Sequence, residues 1–438
     1  MLGLARNDEA PKCGPAACAA RRPPSSMSED IGDFFNRNDF HHDTRKSCDD
    51  YAITKYPHAF VTPAEHQGYC SYTVNIGSSR IVQFRPSAFR IDEKIASAAK
   101  LVLAEFVPET ELLGTITCQS RDGTAGDVLY IYLMERMRGT TLAETQGLPT
   151  WNSNEIFERK RSLVLDLART FAMTYTSGLR EKMLDIEHPK GKVGSSLRWR
   201  LDMLRNLPSQ DLKNTVREAH DALNRVEGLP WCMTHGDMVP ANITVDPETG
   251  QLLGLIDWAE GEYLPFGLGL YGLEEVLGVT NHSTGLFEYH GFHGQLRREF
   301  WTRFRELVGQ SCLRLDEADR QRMLVARKLG ILLWRGIAFE DGRIDRVVEE
   351  GVDDAELHKL RLFLAVDDAI PTSFPDVGEV REEPQTSKRV GFIQNARFWI
   401  MSYVSSVLGY VRRKLSRIRG FGSVGETESV SQSLIGKP

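Results

Sequence analysis

The sequence has no apolar run long enough to cross a membrane and no pair of cysteines at CxxC spacing. A membrane-spanning helix needs about 18 or more consecutive apolar residues. The seven cysteines are scattered along the chain, a usage that suits a reducing compartment better than a disulfide framework. These absences predict a cytoplasmic protein, and a length of 438 residues allows one large core or two lobes.

An excess of positive charge is also missing. The chain is 41% hydrophobic and 26% charged, with a formal net charge of −6 and a pI near 6.1. Nucleic-acid-binding proteins usually carry a basic pI or a basic patch, so this balance predicts no nucleic-acid partner. The Gly-x-Ser-x-Gly pattern that positions the nucleophile of many hydrolases is absent as well.

The stretch 229–261 carries the most informative pattern. An apolar run leads to His235-Gly236-Asp237, and Asn242 follows five residues after the aspartate. Two short strands are predicted around a turn at 246–250, and the second strand leads into Asp257. Phosphoryl transfer needs this combination, because one carboxylate orients and deprotonates a hydroxyl while an amide and a second carboxylate hold a metal ion on the phosphates.

This pattern resembles that of the aminoglycoside phosphotransferase family of small-molecule kinases and, more loosely, that of choline kinases and protein kinases. The resemblance implies an α+β, two-lobed protein-kinase-like fold with a small antiparallel β lobe and a larger, mainly helical lobe. It also implies ATP and Mg²⁺ as cofactors and a small molecule as acceptor. Asp237 would be the catalytic base, His235 would shape the catalytic loop, and Asn242 and Asp257 would be the magnesium ligands.

Two strands are predicted at 73–76 and 80–85, after a small flexible loop. In the resembled family this loop covers ATP, which implies phosphate contacts for Gly68 and Ser71. The strand after it usually carries a phosphate-gripping lysine, but here Gln83 stands at that position. Strand alternation places Gln83 and Arg85 on one face, so we expect both to contact phosphate, with Arg85 supplying the charge. The alternative is a weakened affinity for the nucleotide.

The order of helices and strands along the chain predicts two further parts of the nucleotide site. A helix is predicted over 90–106, with Glu93 in its first turn. Glu93 either pairs with the cation on the preceding strand or is an ordinary acidic residue at a helix N-terminus. After a strand at 128–134, the resemblance implies a hinge in which the backbone from Glu135 to Met137 meets the adenine edge. Further on, the sequence favours a solvated loop position for Glu262 over a substrate-facing one.

The resemblance covers about residues 60–365, and its C-terminal part is similar to fungal members of the family. Met1 and Met27 are alternative start residues. The predicted organisation is a disordered start and helical lead-in at 1–50, an N-terminal lobe at 51–138, a C-terminal lobe at 139–370, a linker at 371–390, a basic amphipathic helix at 391–420 and a disordered end at 421–438.

The tail has a charge pattern of its own, since no acidic residue occurs between Lys388 and Gly425. Apolar residues recur there at helical spacing among arginines and lysines. Such a helix suits an anionic membrane surface, with peripheral contact through 392–419. The alternative is a terminal helix that docks on the larger lobe.

We therefore predict transfer of the γ-phosphoryl group of ATP to a hydroxyl of a small molecule. The alternative is a nucleotide-binding pseudokinase or scaffold anchored by its basic tail. Gln83 favours that alternative, whereas the presence of Asp237, Asn242 and Asp257 opposes it. The sequence carries no signature of the acceptor's identity or of the oligomeric state.

Overall fold

The structure is a computed structural model that describes residues 34–65, 67–145, 152–281, 283–310, 317–338, 344 and 346–366. These residues all belong to one unit, Met1–Thr372. The predictions for residues 1–33, the linker, the amphipathic tail helix and the final segment lie outside the described residues. Within the described ranges, no helix combines the length and apolar character needed to span a membrane.

The first lobe is a five-stranded antiparallel sheet with two helices packed beside it. The strand order is β1-β2-β3-β5-β4. Along β3, Val82 and Phe84 are fully buried, whereas Gln83 points to the opposite face and is partly exposed. The strands are β1 (Val61–Pro63), β2 (Tyr72–Ile76), β3 (Arg80–Pro86), β4 (Thr110–Gln119) and β5 (Ala125–Glu135), and the helices that flank them are α1 (Thr44–Lys55) and α2 (Glu93–Leu103).

The N-terminal lead-in is part of this lobe. Phe34, Phe35 and Phe40 are buried in the same core as Tyr72 and Phe84 of the sheet. The ring of Phe35 meets that of Tyr72 edge-on, with centroids 5.1 Å apart. The predicted boundary at residue 51 therefore falls inside α1, because the sheet needs the lead-in aromatics to cover one of its faces.

The second lobe is mainly helical, as predicted. Its longest helix begins at a capping box, in which the Asn152 side chain accepts from the Glu155 amide while the Glu155 side chain accepts from the Asn152 amide. The helices are α3 (Leu142–Thr145), α4 (Ser153–Met183), α5 (Leu197–Leu204), α6 (Gln210–Glu227), α7 (Tyr271–Val276), α8 (His293–Gln310), α9 (Glu317–Arg335) and α10 (Asp354–Leu364). The α+β fold with a β lobe and a helical lobe is confirmed.

Short strands in the second lobe carry the motif residues. β8 (Ile243–Val245) and β9 (Leu252–Leu255) form the predicted hairpin, and β6 (Thr140–Thr141) pairs with β8. β7 (Trp231–Thr234) pairs antiparallel with β10 (Glu262–Pro265), a strand that the sequence did not predict. A further hairpin, β11 (Gly278–Thr280) and β12 (Phe287–Tyr289), was also not predicted.

Two buried glutamates tie the last helices to α7. Glu274 is paired with Arg297 at 2.7 Å and with Arg327 at 2.8 Å. Glu275 is paired with Lys359 at 2.7 Å and also with Arg335. Removing one member of such a network leaves its partner as an unpaired charge in a low-dielectric interior, which is destabilising. These pairs therefore fix how α8, α9 and α10 pack.

Candidate active site

The loop after β7 has a backbone shape that only glycine permits at its second position. Gly236 has φ of +79°, and a Cβ added there would lie 1.9 Å from the Glu260 carbonyl oxygen. The Trp334 indole N–H donates to the Gly236 carbonyl, and the Met238 amide donates to the Tyr271 hydroxyl at 2.8 Å. Residues of α7 and α9 thus hold the loop in place, and the sequence reasoning missed both aromatic supports.

His235 acts within this loop as a neutral, buried side chain. It is 2% exposed. Its Nδ1 accepts from the Asp237 amide at 3.3 Å, which leaves Nε2 to donate to the Ile256 carbonyl at 2.8 Å. Burial lowers the pKa of His235 to about 4, so the ring stays uncharged at neutral pH and joins the start of the loop to the end of the hairpin.

Asp237 is a buried carboxyl group with one oxygen left open. Its Oδ2 accepts from the Asn242 side-chain amide at 2.9 Å, while its Oδ1 has no hydrogen-bond partner among the described residues. Burial, reinforced by the negative charges of Asp257 and Glu260, raises the pKa of Asp237 to about 7. A carboxyl group that titrates near neutral pH is well suited to proton transfer.

Asn242 precedes β8 and Asp257 follows β9, so both lie at the open end of the hairpin. The Asn242 Nδ2 donates to both the carbonyl and the carboxylate of Asp237, each at 2.9 Å, so its Oδ1 is the group left for a cation. Asp257 has φ of +61°, a strained conformation of the kind found at functional sites. Amide and carboxylate oxygens are the ligands that Mg²⁺ prefers, and these two residues fit that ion.

Arg85 places its guanidinium against Asp257. The arginine is 1% exposed, and its Nη2 donates to Asp257 Oδ1 at 2.8 Å. The Arg85 Nε donates to Gln83 Oε1 at 2.9 Å. Burial favours the neutral form of Asp257, but the Arg85 charge outweighs it and holds the pKa of Asp257 below its usual range. In the structure, Gln83 therefore contacts Arg85, and Arg85 in turn contacts Asp257.

The loop before β2 is held by its own side chains and by the lead-in. The Gln67 side chain donates to the Ala64 and Thr73 carbonyls and accepts from the Thr73 amide, at 2.8–2.9 Å. The Arg37 guanidinium donates to the Tyr69 carbonyl at 2.9 Å. Gly68 is exposed. The two residues of this loop that the resemblance implies as phosphate contacts, Gly68 and Ser71, thus differ in accessibility. The Ser71 hydroxyl is buried and faces Thr73 Oγ1 at 3.4 Å.

The remaining nucleotide-site predictions concern the start of α2 and the segment that follows β5. Glu93 begins α2 with an exposed side chain, and the cation of β3 pairs with Asp257 instead. The structure therefore corresponds to the alternative in which Glu93 is an ordinary helix-start acid. In the hinge, the Glu135 and Arg136 amides donate to the Glu109 and Ser79 carbonyls at 2.9 Å.

That pairing leaves Met137 as the hinge residue whose backbone enters no hydrogen bond within the described part of the chain. The Met137 side chain packs against the hairpin, where a Cβ added to Gly254 would lie 2.5 Å from the Met137 Cε. Of the three hinge residues proposed for the adenine edge, only Met137 therefore keeps its amide available.

The strand paired with β7 contains a glutamate that the sequence analysis placed wrongly. Glu262 is 5% exposed, and its two oxygens accept from the Val193 and Gly194 amides, each at 2.9 Å. The favoured solvated position is thus incorrect, because β10 pairs with β7 and turns this side chain inward. The loop 190–196 is fastened beside the catalytic loop as a result.

Glu260 is a further acidic group of the site that the sequence reasoning did not select. A Cβ on Gly236 would lie 3.0 Å from the Glu260 Cβ, which places this residue against the catalytic loop. Burial, opposed by the nearby charge of Lys192, raises the pKa of Glu260. Its position three residues after Asp257 was the signal available in the sequence.

Residues 78–266 match the model of the phosphotransferase enzyme family, APH. Comparison with curated protein sequences gives no match. Among solved structures, the GDP complex of wild-type aminoglycoside 2'-phosphotransferase-IIIa is 13% identical, and the match covers 74% of this chain and 99% of that chain with a TM-score of 0.45.

Two other similar structures come from named organisms. The aminoglycoside phosphotransferase APH(3'')-Id from Streptomyces rimosus is 16% identical, with 67% of this chain and 99% of that chain covered and a TM-score of 0.36. A choline kinase from Cryptosporidium parvum is 12% identical, with 73% and 94% covered and a TM-score of 0.43.

The family match covers the central part of the site described above. It includes Gln83 and Arg85 on β3, the catalytic loop 235–237, and Asn242 and Asp257 on the hairpin. The fungal-type subgroup stays a prediction. Over residues 78–266, the chain is similar to the phosphotransferase enzyme family.

Proposed function

We propose that the protein transfers the γ-phosphoryl group of ATP to a hydroxyl group of a small molecule. The observation that carries this proposal is the open Oδ1 of Asp237, which is buried without a partner among the described residues and lies in a carboxyl group of raised pKa. A general base needs such an unengaged lone pair to accept the proton of a substrate.

In the proposed reaction, Asp237 holds the acceptor hydroxyl and takes its proton as the hydroxyl oxygen attacks the γ-phosphorus. The bond from that phosphorus to the β–γ bridging oxygen breaks, and ADP is the leaving group. Asn242 Oδ1 and the Asp257 carboxylate would hold Mg²⁺, which neutralises phosphate charge when bound. Asn242 also keeps Asp237 oriented through its 2.9 Å hydrogen bond.

The nucleotide is proposed to lie between the β lobe and the hairpin. In the loop before β2, Gly68 is exposed, so its backbone is the proposed phosphate contact. The buried Ser71 would support that loop. Arg85 brings the positive charge, and the Met137 amide is the proposed contact of the adenine edge. The acceptor would bind on the side of Glu260 and the loop 190–196.

The test is ADP release from ATP in the presence of Mg²⁺, first without an acceptor and then with a panel of small alcohols. Asp237→Asn should reduce turnover by about 10²-fold or more and leave ATP binding intact, whereas Asp257→Ala should reduce both. Equal turnover in the natural protein and Asp237→Asn would contradict the proposal. ATP binding without turnover for any acceptor would favour the nucleotide-binding pseudokinase.

A further inference from the structure

Arg85 is held against Asp257 by more than its own charge. Its three guanidinium nitrogens donate to three different groups: Nη2 to Asp257 at 2.8 Å, Nε to Gln83 at 2.9 Å, and Nη1 to the Phe89 carbonyl at 3.3 Å. The side chain is 1% exposed. A buried guanidinium whose three nitrogens are all hydrogen-bonded has few other orientations. Residues of β3 and of the turn after it therefore help to fix the position of the Arg85 guanidinium.

Gln83 acts through Arg85. Its Oε1 accepts from the arginine, and its Nε2 lies 3.3 Å from the Thr73 Oγ1 on the neighbouring strand. The amide therefore bridges β2 to the guanidinium. A lysine at this position would repel Arg85, whereas the neutral amide accepts a hydrogen bond from Arg85 and orients it.

We propose that Arg85 is an internal counter-cation that occupies the metal ligand Asp257 in the nucleotide-free protein, and that Gln83 is the positioning residue that keeps it there. This inference rests on the proposed function, because it assigns Asp257 to the metal. A divalent ion at Asp257 would compete with Arg85 for the Oδ1 that the guanidinium now contacts, and its double charge would repel the nearby guanidinium. Metal binding at Asp257 thus displaces the guanidinium, and the phosphates of an incoming nucleotide give Arg85 a new anionic partner.

This exchange has a thermodynamic consequence that separates it from a purely structural role. The metal alone must compete with Arg85 and binds weakly, whereas metal and nucleotide together satisfy both charges. The two ligands therefore favour each other's binding, and by linkage the effect is reciprocal. Removing the guanidinium should strengthen binding of the metal alone and weaken binding of the nucleotide, two changes of opposite sign.

The experiment measures binding of Mn²⁺ alone and of ADP with Mn²⁺ by titration calorimetry, on the full chain. For Arg85→Met we expect the affinity for Mn²⁺ alone to rise about fivefold or more and the affinity for ADP to fall by a similar factor. Gln83→Leu, which keeps the guanidinium but removes its oxygen partner, should move both affinities in the same directions by a smaller factor. Arg90→Met is the matched control, since Arg90 is exposed in the same segment and should change neither.

An affinity for Mn²⁺ alone that is unchanged or reduced in folded Arg85→Met would overturn the inference. If that variant does not fold, an unchanged affinity for Mn²⁺ alone in Gln83→Leu overturns it in the same way. Failure of the proposed function looks different, because the natural protein would then bind no ADP or would bind ATP without turning it over, whatever Arg85→Met does to the affinity for Mn²⁺ alone.

Discussion

At the scale of single residues, the buried carboxyl group of Asp237 suits proton transfer but costs the protein stability when it ionises. Its folded pKa of about 7 lies above the ordinary aspartate value of 3.8, so the unfolded chain loses this proton at lower pH than the folded chain does. The stability linked to the protonated form is therefore complete below about pH 4 and is lost as the pH rises through about 7. At alkaline pH the folded protein carries a buried charge that opposes folding.

Asp237→Asn should consequently stabilise the protein while abolishing turnover. The gain in the free energy of unfolding should be larger at pH 8 than at pH 5, by roughly 2–3 kcal/mol, because the variant has no proton to lose. Urea unfolding at the two pH values, without metal or nucleotide, measures it. The exposed Asp221→Asn is the control, and a gain that does not depend on pH would contradict this account of Asp237.

Gly236 is the other residue whose identity the local geometry dictates. Gly236→Ala adds a Cβ at positive φ and directly against the Glu260 carbonyl, so the loop must move. We expect the free energy of unfolding to fall by about 2 kcal/mol or more and turnover to fall with it. Gly291→Ala, where an added Cβ has open space, should leave thermal unfolding unchanged. Equal stability of the two variants would refute the strain argument.

At the scale of elements, β10 and the loop 190–196 depend on each other through Glu262. Glu262→Gln leaves one acceptor oxygen and turns an amide NH₂ toward a backbone N–H that needs an acceptor. Losing a hydrogen bond to a charged group costs about 1.5–3 kcal/mol, so this loop should open. Hydrogen exchange at the Val193 and Gly194 amides should accelerate, while exchange in the β lobe should not.

The control for that exchange measurement is Glu187→Gln, which changes an exposed glutamate close to the same loop. Faster exchange in both variants would mean that the loop is not fastened by Glu262. Unchanged exchange in Glu262→Gln would show that the two hydrogen bonds contribute little.

These elements also show what the sequence could and could not predict. β2, β3, β8 and β9 were predicted because alternating residues and turn residues lie next to each other in the chain. β10 was missed because its apolar run is short, contains a proline and pairs with β7 rather than with a sequence neighbour. The contact between Arg85 and Asp257 joins residues 172 positions apart, and no local pattern records it.

At the scale of the whole molecule, every described site residue lies in the unit that ends at Thr372. Deleting 373–438 should therefore leave the affinity for ADP within about twofold of the full chain, a difference below 0.5 kcal/mol. Deletion from Val352 onward should instead destabilise the protein, because it removes buried Leu360 and Phe363 and the Lys359–Glu275 pair. A large loss of ADP affinity on the shorter deletion would assign the tail a part in the site.

Asn242 and Asp257 are proposed to hold a metal ion on a bound nucleotide, and the dependence of ATP affinity on Mg²⁺ tests that role most directly. Titration calorimetry should show that Mg²⁺ strengthens ATP binding to the natural protein by about tenfold or more. In Asp257→Asn, which keeps the size of the side chain but removes its charge, this strengthening should largely disappear. An ATP affinity that Mg²⁺ does not change in the folded natural protein would contradict that role.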